Sequence, residues 1–534
     1  MPPSTMRTIY WFRMSSLRLH DHPALLAAAE GSSCLYPVFC LERRIATPYG
    51  ENRRRFLLES LRDLDAGLRS LNSRLIVLDG APEVALRAAL ADWSVDRLAY
   101  QLDLASAESK RSAAAVDALA EAAGVQVLAR GGHTMCDLDA LLRRAGGSPT
   151  TSYAPFVKHF EAEVRAAPIV ARPAPSRLPP VGGEATAADD AARAVPAPAD
   201  VGLPADADAA VLVRGGESAA LARLDDHLQR RGGAWAAEME KPATSPMALE
   251  PFGAGTRSTT VLSPYLAFGC LSPRLFYTRL AAEAYGRHPK HAMPPVSLHG
   301  QLLWREFFHT CAHGTPNYER MVGNPICRQV PWGDDKELLA AWAEGRTGYP
   351  WIDAAMTQLR REGWIHHLAR HAVACFLTRG DLWQSWEKGA AVFEELLLDV
   401  DPALNAGNWM WLSASCFFYQ YFRCYSPVAF PKKYDKDGAY VRRWLPALAN
   451  FPAKYIYEPW KAPIADQKAA GCIIGKDYPK PIVAHDVASK ANMAKMAEAY
   501  AAHKEGGASK AAATPTPKRA APPPAKKTKQ MKLK

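Results

Sequence analysis

Several features that would place a chain in a familiar class are missing from this sequence. No apolar run approaches the roughly 18 residues that a membrane-spanning helix requires. The N-terminal residues lead into the strand-like segment TIYWF (8–12) without the pattern of a signal peptide. The ten cysteines never occur at CxxC spacing, which argues against a disulfide scaffold or a structural zinc site and for reduced thiols inside a cell. We therefore expect a globular protein with no membrane partner.

Two informative short motifs are also missing. No GxGxxG follows the first strand-like segment, so a standard dinucleotide site is not indicated there. His367 and His371 are four residues apart in HLARH, but this segment lacks the glutamate that HExxH places after its first histidine. A zinc-protease site is therefore not indicated, and we expect no metal.

Negative charge is scarce only at the C-terminus. The chain has a net charge of +11, and residues 504–534 contain nine Lys or Arg and one Glu, so this tail carries +8 and the rest only +3. Any site for a polyanion in the body must therefore be a local patch. The Pro/Ala/Lys-rich tail is not expected to fold. Its segment KRAAPPPAKKTK (518–529) looks like a two-cluster nuclear localisation signal. Non-specific DNA adhesion and simple solubilisation are the alternatives, and cytoplasmic or organellar locations remain open.

The length of 534 residues exceeds what one hydrophobic core supports, so more than one domain is expected. Strand-like and helix-like segments alternate through residues 8–132, which predicts a Rossmann-like α/β domain whose parallel sheet is covered on both faces. The strand candidates are 8–12, 34–41, 73–79, 96–103 and 125–130, and the clearest helices between them are 52–71 and 106–123.

The remaining chain divides by composition. We expect an α/β domain over 1–140, a connector over 141–216, an all-α domain over 217–502 and a disordered basic tail over 503–534. From about residue 166 the connector is rich in Ala, Pro and Asp, so it should wrap the surface or be partly disordered. We assign it no function.

The densest segment of the helical region runs over 347–430 and combines Trp, His, Arg and Asp with apolar, helix-forming sequence. Helical spacing from Trp364 to Leu377 predicts a helix with His367 and His371 on one face. Taken singly, each Trp is explained by core packing and each His by an ordinary buried hydrogen bond. The combination is not, because buried polar groups need polar partners.

Two earlier segments add candidates. STTVLS (258–263) stands where a helix should begin, so its hydroxyls and free N–H groups can bind phosphate, although helix capping alone is an alternative. The amphipathic segment 298–312 is expected to place Gln301, Trp304 and Arg305 close together on one helix.

Long motifs in this region resemble those of the photolyase/cryptochrome family of flavoproteins. They are STTVLSPYLAFGCLS, QLLWREFF, GNPICRQVPW, GRTGYPWIDAAMTQLRREGWIHHLARH and NAGNWMWLSAS. The resemblance covers nearly the whole chain and is strongest to (6-4) photolyases and the related animal-type cryptochromes. FRCYSPVAFPKKYDKDGAY and AGCIIGKDYPKP look more like the repair enzymes. The sequence departs from the family by an insertion at 252–257.

The resemblance implies FAD in an all-α FAD-binding domain. Arg370 would pair with Asp399, Val400 and Asp401 would meet the flavin–ribose region, and Asn405 would face the flavin N5. The implied cofactor-binding residues are Ser258, Thr259, Thr260, Val261, Leu262, Ser263, Gln301, Arg305, His367, Arg370, Asp399, Val400, Asp401 and Asn405. The α/β domain would carry an antenna chromophore of the 8-HDF or MTHF type.

The resemblance also implies an electron-transfer chain of indoles, Trp409, Trp386 and Trp332, with Trp383 as the outer fourth member. The implied activity is light-driven repair of pyrimidine (6-4) pyrimidone photoproducts in UV-damaged DNA. Photoexcited reduced FAD would donate an electron to the lesion, which is flipped out of the duplex. His367 and His371 would be the catalytic proton-transfer residues. Lys241, Trp304 and Tyr425 would contact the lesion.

Two other functions remain open. An animal-like cryptochrome would act as a blue-light photoreceptor that signals through the flavin redox state to partner proteins, and one chain can do both. The His pair does not separate these readings, because IHHLARH occurs in both groups of the family. A light-independent nucleic-acid-binding protein that has lost its flavin is disfavoured by the intact flavin motifs.

Overall fold

A computed structural model describes residues 6–42, 50–104, 106–183, 193–204, 213–240 and 259–511. Ser258, Lys241, the insertion at 252–257 and the proposed localisation signal lie outside the described residues. The last described helix ends at Ala511. It therefore extends into the segment (503–534) that the composition predicts to be unstructured.

The N-terminal region forms a five-stranded, fully parallel sheet in the order β3-β2-β1-β4-β5. The strands are β1 Met6–Phe12, β2 Ser32–Leu41, β3 Ile76–Asp79, β4 Arg97–Gln101 and β5 Gln126–Arg130. Each coincides with a predicted strand to within a few residues, so the predicted parallel α/β sheet is confirmed.

Five helices accompany the sheet. They are α1 Pro23–Ala29, α2 Glu51–Ser70, α3 Pro82–Asp92, α4 Ala107–Ala122 and α5 Leu138–Arg144. Successive residues of a strand face opposite sides of a sheet, so β1 contributes to two cores. Ile9 and Trp11 pack with α3 and α4, whereas Tyr10 and Phe12 join the large core that continues into the helical region. One face of the sheet is therefore built into the helical region.

The described parts of the connector lie against the α/β domain. Leu35 N donates to Pro180 O (3.0 Å), and Val77 N donates to Arg193 O (2.8 Å). The Arg193 guanidinium lies over the Trp93 ring at 5.4 Å. In its described parts the connector therefore wraps the surface, as the composition allowed.

The remainder is helical. The helices are α6 Tyr153–Ala166, α7 Glu217–Gln229, α8 Ala234–Glu238, α9 Ser263–Ala267, α10 Pro273–Arg279, α11 Leu298–Gly314, α12 Lys336–Ala343, α13 Pro350–Glu362, α14 His367–Cys375, α15 Trp386–Leu396, α16 Pro402–Leu412, α17 Ala429–Tyr434, α18 Ala439–Trp444, α19 Ile464–Ala469 and α20 His485–Ala511. Among the described helices, none is both long and apolar enough to cross a bilayer.

The helix predicted over 364–377 is shorter than expected. Gly363 ends α13 with a φ of +69°, a left-handed conformation that glycine adopts without strain. The next residues, Trp364 and Ile365, are buried before helical geometry resumes. His366 then caps α14, because its Nδ1 accepts a hydrogen bond from Leu368 N at 3.2 Å. The helix therefore begins at His367, three residues later than its apolar spacing suggested.

Candidate active site

A cavity of about 370 Å³ opens in the helical region. Its wall is formed by the segment before α9 and by α10, α11, α14, α15, α16 and residues 399–401. Thirteen of the fourteen predicted cofactor-binding residues lie on it, and the fourteenth is Ser258. The thirteen are Thr259, Thr260, Val261, Leu262, Ser263, Gln301, Arg305, His367, Arg370, Asp399, Val400, Asp401 and Asn405. The fold thus brings together residues separated by up to about 150 positions.

A bidentate ion pair crosses one side of this cavity. Arg370 Nη1 and Nη2 donate to the two carboxylate oxygens of Asp399 at 3.1 and 2.8 Å. The Ser263 hydroxyl donates to the same carboxylate at 2.7 Å. The predicted pairing of Arg370 with Asp399 is confirmed. Bidentate geometry of this kind fixes both side chains. The ion pair therefore ties α14 to the segment that contains Asp399.

The segment Thr259–Ser263 has the geometry of a binding loop. Val261 has a φ of +48°, which is strained for a β-branched residue and typical of functional loops. Ser263 does not cap α9, because the N-cap position is Leu262 and Ser263 is the first residue of the helix, with its hydroxyl donating to Asp399. Helix capping therefore does not account for Ser263, and the phosphate-binding interpretation stays a prediction.

Asp401, on the cavity wall, is at the centre of a buried polar cluster that extends away from the cavity. Its Oδ2 accepts a hydrogen bond from His309 Nε2 at 2.9 Å and lies 3.6 Å from Arg305 Nη2. The Arg305 guanidinium donates to the backbone oxygen and to Nε2 of His133, both at 2.8 Å. Asp401 and two histidines could in principle hold a metal ion. Here, however, the Arg305 guanidinium donates to Nε2 of His133, so the lone pair of that nitrogen is already used. The same guanidinium places a positive charge 3.6 Å from the Asp401 carboxylate, which disfavours a cation there.

His309 and His133 were not predicted as site residues. His309 follows Arg305 by four residues on α11, so helical spacing from Arg305 could have indicated it. His133 lies in the loop after β5 and comes from the other domain. No local pattern in the sequence connects it to the cavity.

The two predicted catalytic histidines share the cavity wall and are half-buried. Their rings are 5.9 Å apart and perpendicular. His371 Nδ1 lies 2.7 Å from His367 O, and a carbonyl oxygen only accepts, so Nδ1 carries a hydrogen. Nε2 of His371 is therefore the atom that can exchange a proton. Tyr425 meets the His371 ring edge-on at 6.1 Å.

The neighbouring His366 has a different character. It is buried, and burial lowers its pKa to about 4, with the nearby charges of Arg370 and His371 acting in the same direction. It is therefore neutral at physiological pH and acts as the helix cap described above. Of the three histidines in this segment, His367 and His371 line the cavity and His366 does not.

Trp304 was predicted to lie close to Gln301 and Arg305, but it does not line the cavity with them. Gln301 and Arg305 are four residues apart and both line the cavity. The Trp304 ring instead stacks on Tyr153 at 4.0 Å and meets Trp411 edge-on at 5.5 Å. It is not among the residues that line the cavity, so its predicted contact with DNA bases would have to occur outside it.

Of the four indoles of the predicted chain, one lies on the cavity wall, one is fully buried and two contact each other. Trp409 lines the cavity. Its ring packs directly on the backbone of Gly389, one turn after Trp386 on α15, where any side chain would overlap it. Trp386 is fully buried. Trp383 lies 4.7 Å from Trp332, centroid to centroid, and its Nε1 donates to Pro331 O at 3.0 Å. The ends of the predicted chain are thus anchored at the cavity and at the Trp332–Trp383 pair.

A second cavity of about 240 Å³ lies between the two domains. It is lined by residues at the carboxyl ends of β1 and β2, by the start of α4 and by residues 400–402. Ligands of open α/β sheets bind at such strand ends. Ala267, Val400 and Asp401 line both cavities, so the two share a wall.

The residues of the first cavity fit FAD. A dinucleotide needs hydrogen-bonding groups for its phosphates and sugars and apolar surface for its rings. The wall supplies the hydroxyls of Thr259 and Thr260 beside the Arg370–Asp399 pair. Its apolar residues include Leu266, Phe276, Leu302, Trp364, Phe393 and Trp409. The fold and the cavity together define a two-domain protein with an FAD-binding helical domain.

Comparisons with known proteins agree. Residues 297–498 match the family model for the FAD-binding domain of DNA photolyase, and residues 8–177 match the DNA photolyase model. The chain is 49% identical to Cryptochrome-2 of Gallus gallus over 505 residues, which cover 93% of this chain and 84% of the relative. It is 48% identical to Cryptochrome-1 of Rattus norvegicus over 501 residues, which cover 93% of this chain and 83% of that relative.

Two solved structures share the fold. A class III photolyase from Agrobacterium tumefaciens has a TM-score of 0.74 at 30% identity, covering 93% of this chain and 98% of that one. A cryptochrome from Synechocystis sp. PCC6803 has a TM-score of 0.78 at 28% identity, covering 92% and 99%. The chain belongs to the photolyase/cryptochrome family. The predicted fold class and the family are therefore confirmed.

Proposed function

We propose that this protein repairs (6-4) photoproducts in UV-damaged DNA by light-driven electron transfer. The site supports a proton-transfer reaction through the pair of half-buried histidines at the cavity, with His371 Nε2 as the proton-exchanging atom and Tyr425 edge-on to its ring. Repair is favoured over signalling by the segments FRCYSPVAFPKKYDKDGAY and AGCIIGKDYPKP, which look more like the repair enzymes. Reduced FAD, when bound and photoexcited, supplies the electron. The chain's own residues would bind the flipped lesion and hold the proton that its bond rearrangement requires.

In this proposal each group has one task. As an imidazolium, His371 gives the proton on Nε2 to the lesion, while its Nδ1–H keeps donating to the His367 carbonyl and so keeps the ring oriented. His367 lies beside it at the same wall and helps to position that proton. Tyr425 would face the flipped bases beside His371, Trp304 would contact bases outside the cavity, and Lys241 would contact the lesion.

A repair assay with two kinds of lesion tests the proposal. Reduced, FAD-loaded protein under blue light should restore an oligonucleotide that carries a (6-4) photoproduct, and leave a matched oligonucleotide with a cyclobutane dimer unrepaired. Chromatography of the oligonucleotides measures both reactions, with dark samples as the control. Repair of the cyclobutane dimer alone, or of neither lesion, would contradict the proposal.

We propose two further assignments. The second cavity would hold an antenna chromophore of the 8-HDF or MTHF type, which mass spectrometry of the natively extracted ligand would identify.

The KRAAPPPAKKTK segment would direct the protein to the nucleus, which a fluorescent fusion with and without residues 518–529 would test. Partners would then be damaged DNA and, in the photoreceptor function below, signalling proteins.

A second candidate function, blue-light signalling, is favoured by the helix that covers the outer tryptophan. Lys495 of α20 places its ammonium 4.9 Å from the centre of the Trp383 ring. Met496 and Ala499 pack in the same small core as Trp383, and Tyr500 Oη donates to Ala414 O at 2.7 Å. An ammonium over a neutral indole is attracted to it. Oxidation of the indole would put a positive charge beneath the ammonium and replace this attraction with repulsion.

We therefore expect light to loosen α20. In oxidised, FAD-loaded protein, illumination should speed limited proteolysis within α20, because electron transfer from Trp383 leaves a cationic ring under Lys495. A Lys495→Gln variant should respond less, since it lacks the opposing charge. A Trp383→Phe variant should show the same cleavage in light and dark. Equal cleavage of the wild-type protein in light and dark would contradict this function for α20.

A further inference from the structure

The buried polar cluster around Asp401 contains a histidine, His309, that does not itself line the cavity. His309, on α11, is fully enclosed between Arg305, His133 and Asp401. Asp401 and Arg305 line the cavity, whereas His309 does not. Asp401 also caps α16, since its Oδ1 accepts hydrogen bonds from Ala403 N and Leu404 N at 3.1 and 3.4 Å. His309 thus lies directly behind a carboxylate that belongs to the FAD site.

Hydrogen bonding fixes where His309 can take a proton. Its Nε2 lies 2.9 Å from Asp401 Oδ2, and a carboxylate only accepts, so Nε2 carries a hydrogen. Nδ1 is then the atom that a second proton would occupy. His133 is held differently, because its Nε2 accepts a hydrogen bond from Arg305 Nη2 at 2.8 Å and lies 3.5 Å from Asp401 Oδ2.

The charges around His309 are balanced when it is neutral. The groups that face it are Arg305 on its own helix, His133 from the loop after β5 and Asp401 at the start of α16. The charge of Asp401 also helps to raise the pKa of the buried Tyr318 phenol. Burial lowers the pKa of His309 to about 4, while Asp401 opposes this shift and Arg305 adds to it. Burial works to raise the pKa of Asp401, but His309, His133 and Arg305 together hold it well below its usual range.

Added negative charge in the cavity would disturb this balance. Asp401, Asn405 and Trp409 follow one another at intervals of four residues along α16 and all line the cavity, so they share one helical face. A flavin held in this cavity would lie against the wall that Asp401 and Trp409 share. Its reduced, negatively charged form would then add a second negative charge near the Asp401 carboxylate, in a buried setting where charges interact strongly.

We propose that His309 takes up a proton at Nδ1 when the flavin bound in this cavity is reduced. The inference depends on FAD binding and not on DNA repair. Two electrons from the reductant go to the flavin together with one proton, which leaves a reduced anion. A second proton, from solvent, forms the Nδ1–H bond of His309, and no bond breaks in the protein. The imidazolium then neutralises one of the two negative charges, so His309 is a positioning residue for the reduced state.

The test is the pH dependence of the midpoint potential of bound FAD, measured by spectroelectrochemistry between pH 5 and 8 in three proteins. In the wild type the potential should fall about twice as steeply with pH below the pKa of His309 in the reduced protein as above it, because reduction then takes up two protons instead of one. His309→Gln keeps a hydrogen-bond donor to Asp401 but cannot titrate. It should bind FAD and show the shallow slope throughout. His299→Gln is the matched control, because burial also lowers the pKa of His299 to about 4 and this histidine lines neither cavity; it should keep the wild-type profile.

A second readout does not depend on any variant. In wild-type protein labelled with ¹⁵N-histidine, the His309 ring nitrogens should report a neutral imidazole with oxidised FAD and an imidazolium with reduced FAD at pH 6. Identical potential profiles for wild type and His309→Gln, the same loss of the steep slope in His299→Gln, or a neutral His309 in the reduced protein would each overturn the proposal. Wild-type protein that fails to bind FAD would refute the FAD site itself, a distinct outcome.

Discussion

A His371→Ala variant is expected to lose (6-4) repair while it keeps FAD. Proton transfer by a positioned side chain typically contributes about 10²–10⁴-fold to a rate, so the photorepair yield should fall by roughly that factor. FAD should stay bound, because the Arg370–Asp399 pair and the segment Thr259–Ser263 do not involve the His371 ring. Repair of a (6-4) oligonucleotide and the flavin absorbance of the same sample measure the two effects.

Two controls make this result specific. His288→Ala removes another partly exposed histidine, one that bonds to Gly232 O and is not on the cavity wall, and it should repair normally. Binding of the lesion-bearing oligonucleotide, measured by fluorescence anisotropy, should change little in His371→Ala, since the loss is in proton transfer. Repair at the wild-type rate in His371→Ala would remove the proposed role of this histidine.

The sheet was predictable because its strands are continuous apolar runs separated by amphipathic helices. Segments 8–12 and 34–41 are buried on both faces and carry no competing helical spacing. The start of α14 was not predictable in the same way. Trp364 and Ile365 fit the helical spacing, yet they are buried in the chain that precedes the helix, and the glycine conformation that forces this break is not visible from spacing alone.

The cavity residues were predictable through long motifs, and their partners were not. Arg370 and Asp399 are 29 residues apart in sequence, and only the resemblance paired them before the structure did. His133 comes from the α/β domain, 172 residues before Arg305. A contact between domains leaves no periodic signal in either segment. The packing of α20 on Trp383 likewise depends on tertiary structure that composition does not encode.

Trp304 shows the limit of proximity along a helix. Residues 301 and 304 are three positions apart, so helical spacing alone places them on neighbouring parts of one face. The aromatic neighbours of Trp304, Tyr153 and Trp411, come from two other helices. This packing keeps the Trp304 ring off the cavity wall, and spacing along one helix could not have predicted it.

A Trp409→Phe variant is expected to lose nearly all photoreduction of oxidised FAD. Trp409 is the indole of the predicted chain that lines the cavity, and phenylalanine is much harder to oxidise, so the first electron transfer to the excited flavin would be blocked. The substitution keeps apolar packing against Phe393, whose ring centre lies 5.0 Å away, and against Trp342 at 6.1 Å. The bleaching of flavin absorbance under blue light with an external reductant measures the effect.

The matched control is Trp411→Phe, two residues further along α16. Its indole packs on Trp304 at 5.5 Å and Phe418 at 5.9 Å and does not line the cavity. It should photoreduce at the wild-type rate, because it lies on a different face of the helix. Chemically reduced Trp409→Phe should still repair DNA under light, since the chain recharges the flavin and does not carry the repair electron. Normal photoreduction in Trp409→Phe would mean that electrons reach the flavin by another route.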